Sequence, residues 1–146
     1  MQIPNNSVVL VADGRKSLFF RNKGDSEFPN FVVENTEVRL NPPHHEQASD
    51  LAGRTMSPDG THHGSMVEVD FHRQEEDRFA ADTAETLKAR ALRNDYDALV
   101  VVAPAATLGQ LRKHYHKAVE QRLIAEVPKD MVNLPVPEIE KALKAE

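Results

Sequence analysis

Basic, histidine-rich and acidic stretches are the parts of this chain whose residue types could do chemistry. The densest basic run is Leu111-Arg112-Lys113-His114-Tyr115-His116-Lys117, with one aromatic residue interleaved. Cations at that density can meet a phosphate backbone while an aromatic ring stacks on a base. The same pattern also describes a helix whose Leu111 and Tyr115 face a core while its cations stay in water. Histidines occur as the adjacent pairs His44-His45 and His62-His63. Adjacent side chains diverge in an extended chain, and no cysteine is present to complete a site, so neither a metal nor a cofactor is expected. A two-metal nuclease would need carboxylates converging from strand ends. Asp13 closes one apolar run, but the later run Ala98 to Ala103 ends in Pro104 with no acid, which argues against it. Gly60-Thr61-His62-His63-Gly64-Ser65 reads either as a flexible tip reaching a reactive group or as a turn of ordinary composition. The chain has no Gly-x-Ser-x-Gly elbow, no phosphate-loop signature and no dinucleotide fingerprint.

The elements that must position these residues follow from hydrophobic patterning. Ser7 to Ala12 is a β-branched apolar run closed by Asp13-Gly14, a hairpin signal in which glycine would supply positive φ. Ser17 to Arg21 returns as a second strand, Lys23 to Ser26 punctuates, and Phe31 to Leu40 alternates as a third. Asn41 to Met66 fits neither period and is rich in Pro and Gly, which predicts a long mobile loop. Gln74 to Asn94 is expected to be the main helix, with Phe79, Ala80, Ala84, Leu87 and Ala91 on one stripe. Its first turns are acidic and Arg90 and Arg93 lie in its last, as the helix dipole favours. Ala98 to Ala103 is apolar on both faces, as a central parallel strand is. Pro104 then opens a helix striped by Leu108, Leu111 and Tyr115. Val119 to Val127 suits either an extension of that helix or a strand; we read a strand centred on Leu123 to Val127. Ile139 and Leu143 mark a short terminal helix.

The fold class is therefore α/β. A mixed five-stranded sheet is expected, an antiparallel meander of three strands followed by α-β-α-β-α, the order of the ribonuclease-H-like architecture. The whole chain, residues 1–146, makes one domain. Acidic residues outnumber basic by 23 to 18, a net charge of −5, so any nucleic-acid contact must be a local patch. The apolar runs are far shorter than the ~20 residues of a membrane span. With no basic stretch leading into a long apolar segment near Met1, a cytoplasmic location without a membrane partner is expected.

Four segments carry a family resemblance when read in order. VVLVADGRKSLFF, DRFAADTAETL, YDALVVVAPAATLGQLRKHY and AEVPKDMVNLPVPEIEKAL together resemble the bacterial host attachment protein family, the protein required for attachment to host cells. That family is related to the middle domain of archaeo-eukaryotic peptide-chain release factors, whose Gly-Gly-Gln loop promotes peptidyl-tRNA hydrolysis on the ribosome. The resemblance implies a ribosome- or tRNA-associated module in translation. The loop at His62, His63 and Gly64 would be the catalytic or contact tip, and Arg54, Arg112, Lys113 and Lys117 its phosphate contacts. No Gly-Gly-Gln occurs: Gly53, Gly60 and Gly64 are isolated, and Gln47 and Gln74 lie away from them. Position alone carries over, and whether the chain is an enzyme stays open. The alternative is a protein-interaction or regulatory module that affects attachment indirectly.

Overall fold

The computed structural model describes residues 1–39 and 60–146, with side chains in the second stretch from Phe71 onward. The strands are β1 (Val8–Ala12), β2 (Lys16–Asn22), β3 (Phe31–Val38), β4 (Leu99–Val102) and β5 (Leu123–Val127). The helices are α1 (Gly60–Leu92), α2 (Ala105–His114), the single turn α3 (Lys117–Glu120) and α4 (Val136–Ala145). One mixed sheet has the order β3-β2-β1-β4-β5, antiparallel across the first three strands and parallel from β1 through β4 to β5.

The period of two in β1 and β4 explains their place at the centre. Val8, Leu10, Leu99 and Val101 face a core shared with Leu87 and Ala91 of α1 and with Leu108 and Leu111 of α2. Val9, Val11, Val100 and Val102 face the other way, onto Ile139 and Leu143 of α4, with Met131 and Val132 beside them. A strand apolar on both faces needs helices on both, and the chain supplies them. The predicted α1 stripe is the buried one: Phe79, Ala80, Ala84, Leu87 and Ala91 are all in the core. Between α1 and the sheet, the buried hydroxyls of Ser17 and Thr83 bond each other at 2.9 Å. The Tyr96 hydroxyl donates to the Leu87 carbonyl at 2.9 Å, and burial pushes its pKa up to about 12.

Two sequence expectations change. The β1–β2 turn is not made by a glycine at positive φ, since no described glycine has one. The Asp13 carboxylate holds the turn instead, accepting from the backbone N–H of Arg15 and Lys16 at 2.8 and 2.7 Å. The helix expected from Gln74 opens at Gly60, so the predicted loop through Met66 is too long at its C-terminal end. No proline follows Pro58 until Pro104, and a helix seeded by the strong stretch after Phe71 extends with one new hydrogen bond per residue fixed. Ahead of β5, the segment Lys117–Glu120 forms its own helical turn.

α1 stops where Asn94 takes up φ 55°, the left-handed conformation that asparagine tolerates. The Asn94 N–H then donates to the Ala91 carbonyl and the Asp95 N–H to the Arg90 carbonyl, at 2.9 and 3.0 Å. This paired closure usually brings two apolar side chains together, whereas here it sets Asp95 against Arg90. Asn94→Ala should lower the unfolding free energy by about 1–2 kcal/mol, the cost of a Cβ-bearing residue without a polar tip in that conformation. Chemical denaturation would show it, and unchanged stability would mean that the closure does not need asparagine.

Candidate nucleic-acid interface

The basic run folds into the turn between α2 and α3. Arg112 and Lys113 occupy the last turn of α2, whose chain leaves through Tyr115 in an extended conformation. His116 caps α3, its Nδ1 accepting from the Ala118 N–H at 3.0 Å, and Lys117 is the first residue of that turn. Leu111 is buried and Tyr115 packs partly into the core, as the sequence predicts for the inner side of this segment. Lys113 and Lys117 are exposed, and neither side chain has a partner among the described residues. Arg112 is different: its Nε lies 3.1 and 3.2 Å from the two carboxylate oxygens of Glu126 on β5. The Tyr115 hydroxyl is buried without a hydrogen-bond partner among the described residues, and burial, reinforced by Glu126, drives its pKa upward. His114 reaches Asp77 of α1 at 3.1 Å and so docks the turn against the long helix.

His62, His63 and Gly64 do not join this corner. They stand on the helical backbone of α1 and not at a loop tip. Along a straight helix His63 lies about 20 Å from Asp77, given 1.5 Å per residue. Arg54 lies outside the described residues. Among the described residues no group of three or more His, Asp or Glu side chains is placed to hold a metal ion. No helix among them is long and apolar enough to cross a membrane.

A second polar site escapes sequence reading. Four charged side chains, Arg21 of β2, Glu34 of β3, Arg90 of α1 and Asp95 after it, form one network. The two guanidiniums are buried, Arg21 at 5% and Arg90 at 8% exposure. Arg21 donates Nε to Glu34 at 3.2 Å, Nη2 to the Asp95 carboxylate at 3.1 Å, and Nη1 to the carbonyls of Asn6 and Asp95 at 3.2 and 2.7 Å. Arg90 donates Nε to Asp95 at 2.7 Å and Nη2 to Glu34, with its guanidinium 5.7 Å from the centre of the Phe19 ring. Burial raises the Glu34 pKa, but hydrogen bonds and charge from Arg21 and Arg90 outweigh it and hold the carboxyl below its ordinary range. For Asp95 the hydrogen bond from Arg90 is the largest influence, and that carboxyl too is held low.

A bulge brings Glu34 into this network. Phe20 pairs with Val33 and Phe19 with Asn35, so Glu34 is the extra residue between them. Such a bulge re-aims a side chain without leaving a mark in the hydrophobic alternation. The one available signal was Arg90 itself, which sits beside Leu87 and Ala91 on the apolar stripe where a dipole-matched surface arginine has no need to be. An open cavity of about 440 Å³ lies over the network, bounded also by Asn35, Thr86 and Arg93.

No curated protein matches this sequence. The family model of the bacterial archaeo-eukaryotic release factor family 12 matches residues 6–143. That stretch runs from ahead of β1 into α4 and includes both the basic turn and the arginine network. The kinship to release factors expected from the four ordered segments is thus shown over nearly the whole chain, which belongs to the bacterial archaeo-eukaryotic release factor family 12.

Proposed function

We propose that this protein is a cytoplasmic, ribosome- or tRNA-binding module of translation that uses the α2–α3 turn as its RNA contact. Family membership over residues 6–143 is the observation that carries the reading. The strand order β3-β2-β1-β4-β5, with its meander and two parallel crossovers, supports a ribonuclease-H-like, release-factor middle-domain-like architecture. The unpaired Lys113 and Lys117, with Arg112 beside them, provide cations for phosphates, and Arg54 belongs to the same proposed set. The N-terminal turns of α1 at His62, His63 and Gly64 are the proposed contact or reactive end. Peptidyl-tRNA hydrolysis is the catalytic form of this reading. It requires groups that orient water and stabilise an oxyanion without a Gly-Gly-Gln sequence.

Co-sedimentation with ribosomes across a salt series, with bulk tRNA binding as its pair, tests the proposal. Binding that weakens steeply with salt is expected, because phosphate contacts release counterions. Absence of binding to both at low salt overturns it. The net charge of −5 favours a second reading, a protein-interaction module acting indirectly on host attachment. A protein partner retained in high salt, with no RNA bound, would select that reading.

A further inference from the structure

The geometry points to the cavity between β3 and the last turns of α1 as a binding site for a phosphate group, carried by a small phosphorylated compound or by an RNA end. This inference does not rest on the RNA contact proposed for the α2–α3 turn. At about 440 Å³ the cavity has the size of ordinary small-ligand sites.

Its walls hold more donors than acceptors. Arg21 spends Nε, Nη1 and Nη2 on Glu34, Asp95 and the Asn6 carbonyl. Arg90 spends only Nε and Nη2, leaving its Nη1 without an acceptor among the described residues. Arg93 lines the same cavity, and its guanidinium has no partner among the described residues. Among the lining residues, two carboxylates against three guanidiniums leave one formal positive charge; the Glu37 carboxylate behind them accepts from Thr86 and Asn35.

The helix end that would ordinarily repel an anion is closed here. The carbonyls of Ala89, Arg90 and Ala91 accept from the N–H groups of Arg93, Asp95 and Asn94 at 3.3, 3.0 and 2.9 Å. Arg90 is also held in place by Phe19, Glu34 and Asp95, so a ligand meets a donor already ordered. Guanidinium groups match phosphate oxygens through paired charge-assisted hydrogen bonds, and the free edge of Arg90 with the exposed guanidinium of Arg93 offers that arrangement.

Inorganic phosphate titrated into the full chain at constant ionic strength, followed by calorimetry and thermal melting, tests the inference. Saturable binding at one site with a rise in Tm is expected. Arg93→Ala removes an exposed side chain and should weaken it about tenfold or more, the worth of one charged hydrogen-bond set. Lys141→Ala, an exposed cation away from the cavity, should not change it. No saturable binding, or equal loss in both variants, overturns the site. A 5′-phosphorylated trinucleotide that binds more tightly than phosphate, with the same dependence on Arg93, would assign the phosphate to RNA. Equal affinity would assign it to a small compound. Failure of ribosome co-sedimentation would leave these outcomes untouched, so the two proposals fail separately.

Discussion

Arg21→Met is expected to lower the unfolding free energy by about 3–5 kcal/mol, the range seen when one partner of a buried ion pair is removed. The magnitude follows from what is left behind. Arg21 is 5% exposed and joins β2 to β3 through Glu34, to the N-terminal segment through the Asn6 carbonyl, and to the entrance of β4 through Asp95. Methionine fills a similar volume but leaves the carbonyls of Asn6 and Asp95 without this donor. Glu34→Gln should cost less, since its side chain is 29% exposed and water can reach it. Denaturant unfolding measures both, and a cost for Arg21→Met below that of Glu34→Gln would contradict the burial argument.

The same network sets a sign for pH. The carboxyl pKa values of Glu34 and Asp95 are lower in the folded protein than in the unfolded chain, where carboxyls titrate near about 4. Their contribution is therefore complete above that unfolded value and is lost as pH falls through the lower folded values. The Arg90 guanidinium loses by burial and gains more from Asp95 and Glu34, so its pKa rises from an already high value. Its contribution would disappear only in strong alkali. The stability gap between the wild type and Arg21→Met should thus narrow between about pH 5 and about pH 2. A gap that widened on acidification would show that the carboxylates are not held low by these arginines.

Residues whose burial follows from local pattern were legible in the sequence. The two-sided apolar runs of β1 and β4 located the sheet centre, and the stripe through Leu87 and Ala91 located the face of α1 that covers it. The helix end at Asn94 was also readable, because asparagine is one of the few residues that accept the left-handed conformation found there. What stayed hidden depends on long-range pairing. Glu34 is aimed by a bulge against β2, and Arg21 and Arg90 meet it across 13 and 56 residues of chain. No period in the sequence encodes such a meeting. The early start of α1 was masked by Gly60 and Gly64, which have low intrinsic helix preference yet can be carried by the turns that follow. At the basic turn, the cations were evident from composition, but the Glu126 that occupies one of them arrives from β5 through the parallel register with β4.

That occupancy makes the three cations unequal, and their variants should separate. Lys113→Ala and Lys117→Ala should each lower the slope of log affinity against log salt for tRNA or ribosomes by about 1, the value for one phosphate contact. Arg112→Ala should lower it less, because Arg112 is already partly neutralised by Glu126 at 3.1 Å. Glu126→Gln keeps a side chain of the same shape and releases the guanidinium, while removing a negative charge beside the turn. It should strengthen binding and steepen the salt dependence, which no argument from helix surface composition would predict. The combined Lys113→Ala, Lys117→Ala chain should bind weakly enough that adding Glu126→Gln on that background recovers only the Arg112 share. If the two lysine variants bind as the wild type does, the α2–α3 turn is not the RNA contact. If they weaken binding but Glu126→Gln has no effect, Arg112 lies outside the footprint, and the contact is centred on Lys113 and Lys117 where α3 begins.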